Sequence, residues 1–152
     1  MTLEATTTPA TPIRAINDFV VKFANVNGSG SASANELFAK AILRMGVPVS
    51  PRNIFPSNIQ GLPTWYEVRV CEAGWLGRRG GVDLLVAMNP QTWDDDVREL
   101  APGGYLFHDS SKPMPKSFGA RRGCGVHRAS RWAAAYARLS RCAASTASTT
   151  YS

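Results

Sequence analysis

The chain has 152 residues, 44% hydrophobic and 18% charged, with a formal net charge of +6 at pH 7. That length accommodates one domain with its own core, and no stretch is long and apolar enough to cross a membrane as a helix. The positive balance is a poor sign of nucleic-acid binding, because residues 1–119 carry 11 Lys/Arg against 11 Asp/Glu and the whole excess is six arginines within residues 120–152.

Residues 1–16 are rich in Thr, Ala and Pro, with no apolar core segment and no early basic cluster. They read as a disordered lead-in and not as a signal peptide. Cys71, Cys124 and Cys142 have no spacing suited to a zinc or iron–sulfur site within the chain. An odd cysteine count without a secretion signal points to reduced thiols and a cytoplasmic setting.

Asp18-Phe-Val-Val-Lys-Phe-Ala24 predicts a first strand covered on both faces. Asn27-Gly-Ser-Gly-Ser31 follows as a turn, where Gly28 and Gly30 permit positive φ or close backbone approach of a ligand. Ser33 and Glu36 predict a capping box for a helix whose apolar stripe is Leu37, Ala41 and Met45, with Ile42 beside it, and Gly46 as its stop. Val47-Pro-Val49 predicts the start of a short strand, and the prolines at 51, 56 and 63 argue against any regular element over 50–64. Trp65–Cys71 predicts a strand with Tyr66, Val68 and Val70 on one face and Glu67 and Arg69 on the other. Val82–Met88 is the strongest buried strand. Thr92 with Asp95 predicts a capped helix over about 93–100, Pro102-Gly-Gly104 a turn, and Tyr105–His108 a further strand. Strands alternating with helices over residues 17–119 imply an α/β fold: a small Rossmann-like layered domain with a mainly parallel sheet, incomplete at its C-terminal end.

Residues 120–152 differ in kind. Nine are Ala, six are Arg, and Asp, Glu, Ile, Lys and Pro are all missing. The segment reads as a basic, disordered tail or as translation of a GC-rich gene out of frame. The second reading is refuted if neither alternative frame continues an α/β pattern.

Asn27-Gly-Ser-Gly-Ser31 stands between a strand and a helix N-terminus, where free backbone N–H groups hold phosphate or carboxylate. Without the Lys-Ser/Thr ending it is not a P-loop, and an anion site and a plain structural turn both fit it. Asn58, Gln60, Thr64, Trp65 and Tyr66 combine uncharged hydrogen-bonding groups with aromatics, as a protein interface or a small-molecule pocket does. Arg69, Arg78 and Arg79 suit phosphate or a partner's acids, or form a solvated loop. Cys71 fits a core gap. His108 and Asp109 are sequence neighbours on a strand end and point apart, so no catalytic relay follows from them. The residues supply no catalytic set.

Asn27-Gly-Ser-Gly-Ser-Ala-Ser-Ala-Asn35, Phe55-Pro-Ser-Asn-Ile-Gln-Gly-Leu-Pro-Thr-Trp-Tyr66, Arg78-Arg-Gly-Gly-Val-Asp83 and Ala87-Met-Asn-Pro-Gln-Thr92 together resemble the gamma domain of 2-oxoacid:ferredoxin (acceptor) oxidoreductases. The resemblance runs from about Phe19 to Phe118 and is nearest to the fused gamma/alpha subunit of the 2-oxoglutarate enzymes. It implies part of an oxidoreductase acting on an oxo group: oxidative decarboxylation of a 2-oxoacid with coenzyme A as acyl acceptor and electrons passing to ferredoxin or another acceptor. It implies alpha and beta parts as partners, with thiamine diphosphate, magnesium and iron–sulfur clusters held in those other parts, and no activity for this chain alone. It gives Gly28, Ser29, Gly30 and Ser31 the turn at the first helix. Asn58, Gln60, Gly61 and Thr64 face the coenzyme or the alpha/beta assembly, and Arg78 and Arg79 neutralise phosphate or an interface acid. A free-standing coenzyme- or nucleotide-binding module is the alternative, and a nucleic-acid binder acting through residues 120–152 ranks last.

Overall fold

A computed structural model describes residues 16–109 and 125–128. The elements in chain order are β1 (Asp18–Val26), α1 (Ser31–Arg44), β2 (Val49–Ile54), β3 (Pro63–Cys71), β4 (Val82–Ala87), α2 (Trp93–Glu99), β5 (Leu100–His108) and β6 (Gly125–Arg128). They form one six-stranded sheet in the order β2-β3-β1-β4-β5-β6. The pairings β1–β4, β4–β5 and β5–β6 are parallel, whereas β1–β3 and β2–β3 are antiparallel. The fold is therefore α/β with a mixed, mainly parallel sheet. β6 falls inside residues 120–152; the expectations for residues 1–15 and for the remainder of 120–152 lie outside the described residues.

The strand order reverses at β1. From β1 the chain passes through α1 to β2 and β3 on one side, and then to β4 and β5 on the other. The two helices pack on opposite faces as a result. Val21, Phe23, Tyr66, Val68, Val70 and Val86 bury themselves against Ala39 and Ile42 of α1. Leu85, Ala87, Leu100 and Leu106 do so against Trp93 and Val97 of α2. Each fully buried Val or Leu contributes about 1.5–3 kcal/mol over its exposed state.

Several local expectations need correction. The helix does not use a Ser33/Glu36 capping box: it starts at Ser31 behind Gly30, whose φ of 74° lies in the left-handed region, with no side-chain cap. Its buried stripe is Ser31, Asn35, Ala39 and Ile42, while Leu37, Ala41 and Met45 face outward. The pattern misled because the inward positions near the N-terminus are small or polar, and the bulkiest apolar side chains sit outside. The prolines did not exclude a strand, since β2 carries Pro51 on the sheet edge, where a missing N–H breaks no second ladder. Pro102-Gly-Gly104 is not a turn between elements but an irregularity inside β5. Between two pairings β4 advances from Val82 to Leu84 while β5 advances from Leu100 to Tyr105. A Cβ on Gly104 would stand 2.9 Å from Ala101 O and 3.0 Å from Asp83 O, so the crossing admits only glycine.

Thr92 does precede α2, but its hydroxyl does not cap the backbone. It donates to Asp96 Oδ2 at 2.6 Å. Cys71 is a buried free thiol, as a core filler should be.

Candidate functional site

A parallel sheet presents its ligand crevice where the strand order reverses, at the strands' C-terminal ends. Here that point lies between β1 and β4. Met88 N donates to Ala24 O at 3.0 Å, and Asn89 Nδ2 donates to Asn25 O at 3.3 Å, which ties the two strand ends together.

The turn after β1 is locked to the loop before β3 through Asn27. Its main-chain N–H donates to Leu62 O at 2.8 Å and its carbonyl accepts from Gly61 N at 3.0 Å. Its side-chain amide donates to Ser57 O at 3.3 Å and Ile59 O at 3.1 Å. Two segments about 30 residues apart in sequence thus become one surface. Gly28 has φ +82°, and a Cβ there would lie 2.7 Å from Gln60 Cγ. Gly28→Ala is expected to lower stability by about 1–2 kcal/mol through the left-handed backbone alone, checked by the midpoint of urea unfolding.

The joined turn and loop enclose an open cavity of about 240 Å³, lined by Asn27, Gly28, Gly30, Ser31, Ala32, Asn53, Phe55 and Thr64. The first turn of α1 borders it, with no side-chain cap and no acidic residue. First-turn amides have no intrahelical acceptor, and the helix dipole favours an anion beside them. Drug-sized pockets run to roughly 300–1,000 Å³, so this cavity suits one group of a larger ligand. Phe55, Ile59 and Leu62 are exposed on the same loop. Tyr66 stands under α1 on this face, and burial, aided by Glu36, pushes its phenol up, which keeps it neutral.

Of the residues singled out by sequence, Gly28, Gly30, Ser31 and Thr64 line the cavity, and Gln60 lies against Gly28. Ser29, Asn58 and Gly61 are exposed on the joined loops and are not among the lining residues. Arg78 and Arg79 are not brought to the cavity. Arg78 makes a forked contact to the buried Glu67 carboxylate, with Nε 3.2 Å from Oε1 and Nη2 3.1 Å from Oε2. Arg79 pairs with Asp83, and Arg69 with Asp18. Asp83 also accepts from Val20 N at 2.7 Å, where the β1–β4 ladder begins. The Arg78–Asp83 motif is thus a clasp on the sheet face opposite α1, and its guanidinium groups are committed within the chain. Glu67 raises the Arg78 guanidinium above its ordinary range, by hydrogen bond and then by charge. His108 Nδ1 lies 3.1 Å from the main-chain oxygen of Asp109, so that contact builds no relay.

Sequence reasoning missed Asn53, Phe55 and Ala32 as cavity residues. It also missed a buried ionic group on the α2 face. Lys22, 4% exposed, sits 3.5 Å from Asp96 Oδ1 and 2.8 Å from Glu99 Oε1, and 5.4 Å from the Trp65 ring centroid. Trp65 Nε1 donates to Asp96 at 2.7 Å. A lysine inside a near-continuous apolar strand was the available signal. Among the described residues, no three His, Cys, Asp or Glu side chains converge as metal ligands do.

Burial raises the Asp96 carboxyl above 3.8, with the Thr92 and Trp65 hydrogen bonds and Lys22 opposing. A carboxyl raised on folding binds its proton more tightly in the folded state. Its contribution to stability is therefore fully present below 3.8 and lost as pH rises through the folded value. The Asp96 side-chain carbon resonance is expected to titrate above 3.8, and a midpoint at or below that value contradicts the assignment.

Comparison with known proteins gives a consistent picture. The family model for pyruvate ferredoxin/flavodoxin oxidoreductase matches residues 20–149. The alpha subunit of 2-oxoacid:ferredoxin oxidoreductase 2 from Aeropyrum pernix is 28% identical over 82 residues, 54% of this chain and 13% of that protein. A 2-oxoglutarate:ferredoxin oxidoreductase chain from Magnetococcus marinus, solved with 2-oxoglutarate, coenzyme A and succinyl-CoA, superposes with a TM-score of 0.66 at 21% identity, covering 83% of this chain and 23% of that one. The pyruvate oxidoreductase subunit PORC of Thermotoga maritima gives 0.56 at 21% identity over 75% of this chain and 64% of the subunit. The keto/oxoacid ferredoxin oxidoreductase gamma subunit of Geobacter sulfurreducens gives 0.55 at 14% identity over 87% and 77%. The chain spans only a small part of the Aeropyrum and Magnetococcus proteins and just under two thirds of the Thermotoga subunit.

Proposed function

The chain belongs to the pyruvate ferredoxin/flavodoxin oxidoreductase family, and we propose that it is the gamma part of a 2-oxoacid:acceptor oxidoreductase that supplies one wall of the coenzyme A site. The observation that carries this reading is the cavity in which the glycine turn and the 55–64 segment meet at the start of α1. Its uncapped main-chain N–H groups donate to an anionic oxygen of the coenzyme. Its small volume and the exposed Phe55, Ile59 and Leu62 around it leave the rest of the coenzyme to a partner surface.

In this reading the chain binds and orients, and the chemistry takes place elsewhere. Thiamine diphosphate with magnesium would supply the decarboxylation chemistry and iron–sulfur clusters the path for electrons, all of them held outside this chain. The chain's buried acids Asp96, Glu67 and Asp83 are spent in ion pairs with Lys22, Arg78 and Arg79. A cytoplasmic setting is part of the same proposal. Among the described residues, no helix is long and apolar enough to cross a membrane.

The test is co-expression with alpha and beta parts of a 2-oxoglutarate-type and a pyruvate-type enzyme. Stable co-purification with one set, lost when Phe55 and Ile59 are both changed to Ser, supports the assignment and selects the substrate class. Failure to associate with either set refutes it.

A further inference from the structure

On the α1 side of the sheet the helical cover stops halfway. α1 packs over β1, β2 and β3, and α2 covers β4 and β5 from the opposite face. Leu84 of β4 and Phe107 of β5 join the α1-side core but stay half-buried. Beside them stands one flank of α1. Ala32 lines the cavity with Asn53 of β2 and Thr64 of β3, and Glu36 acts on the phenol of Tyr66 in β3, so that flank of the helix faces β3 and β2. The other flank, with Leu37, Phe38, Ala41 and Met45, faces β4. Leu37 is 61% exposed and Met45 71%, and the Phe38 ring meets Phe23 of β1 edge-on at 5.5 Å. Sheet floor and helix wall make an apolar groove along the strands that the described residues leave open, and a contiguous apolar surface of this kind calls for an occupant.

The chain itself carries one. β6 runs parallel to β5, and the sequence leaves it at Arg128 with residues 129–152 still to follow. Neither Gly nor Pro occurs after Gly125. Ser130 is a good N-cap residue, and the alanines at 133, 134, 135 and 137 are the strongest helix formers. At helical spacing Trp132, Tyr136, Leu139 and Ala143 share one face, and Arg131, Arg138 and Arg141 fall on the other. A helix over 131–143 spans about 20 Å, the length of the six-residue β4. We propose that residues 131–143 form an amphipathic helix that turns back from β6 into this groove, setting Trp132, Tyr136 and Leu139 against Leu84, Phe107 and the apolar flank of α1. The three arginines then face water. The opposite face of β4 and β5 is closed to this helix because α2 occupies it.

The test is limited trypsin digestion of the full chain, with cleavage at Arg131, Arg138 and Arg141 followed by mass spectrometry. In a groove variant, Leu37→Ser with Met45→Ser, these sites are expected to be cut at least about tenfold faster than in the unaltered chain, because a segment that undocks opens its backbone to the protease. A tail variant, Trp132→Ser with Leu139→Ser, is expected to show the same gain. It leaves residues 16–109 unaltered, so it decides the matter if the groove variant does not fold. Equal cleavage rates in the unaltered chain and the tail variant overturn the inference. Protection that grows with protein concentration assigns the groove to a second copy of the chain, and protection that appears only when alpha and beta parts are added assigns it to a partner. Either of those results overturns the inference as well.

Discussion

Lys22→Ala is expected to destabilise the chain by about 3–5 kcal/mol, the usual cost of removing one partner from a buried ion pair. Lys22 sits 3.5 Å from Asp96, which is 1% exposed, so the substitution strands a carboxylate with the Trp65 and Thr92 donors alone. It also empties the space under the Trp65 ring. The damage reaches beyond a local contact, because this group links β1, β3 and α2. Replacing both members, Lys22→Met with Asp96→Leu, is expected to recover most of the loss, since a well-packed apolar pair often matches a buried ionic one. Urea unfolding of the two single variants and the double variant measures the coupling. A loss under 1 kcal/mol for Lys22→Ala, on the scale of an exposed ion pair, contradicts the geometry.

Ala32→Asp is expected to raise stability slightly while impairing function sharply. Ala32 is exposed in the first turn of α1, where no acid stands, and it lines the cavity. A carboxylate at a helix N-terminus contributes roughly 0.3–1 kcal/mol. The same charge occupies the field proposed to hold an anionic group of the coenzyme. In the proposed complex with alpha and beta parts, the KM for coenzyme A is expected to rise at least about tenfold, equivalent to about 1.4 kcal/mol of lost binding. The KM for the 2-oxoacid should be unchanged. Equal effects on both substrates would mean that the substitution disturbs assembly and leaves the assigned contact unsupported.

How far the sequence speaks for itself varies along the chain. β1 and β4 are legible as near-continuous apolar runs of strand length, and β3 as an alternating one with Tyr66, Val68 and Val70 on its core face. The reversal of strand order at β1 is not legible, since it depends on which neighbours β1 chooses and no local pattern encodes that. The position of α1 is legible, but its face is rotated: Asn35 and Ala39 pack inward with the expected Ile42, while Leu37 and Met45 stand out. Hydrophobic periodicity assumes that bulk points inward, and here the crowded sheet face near β1 takes small and polar residues instead. The glycine turn and the 55–64 loop were each visible as motifs. Their union through Asn27 was not, because main-chain hydrogen bonds between distant loops leave no compositional trace. The arginines at 78 and 79 looked like free charge because Glu67, Asp18 and Asp83 come to them only after folding.

The family's motifs divide accordingly. The Asn27–Ser31 and 55–64 segments build the cavity, and the 78–83 segment builds a clasp on the other face that fixes the start of the β1–β4 ladder. Changes in the first pair should alter coenzyme use, and changes in the last should alter stability.

The most direct test of the central claim is the coenzyme A dependence of 2-oxoacid-driven acceptor reduction, measured with alpha and beta parts in the presence and absence of this chain. The account predicts that the chain restores saturable coenzyme A dependence and that Ala32→Asp shifts the saturation curve to higher coenzyme concentration. Identical coenzyme A curves with and without the chain would contradict it.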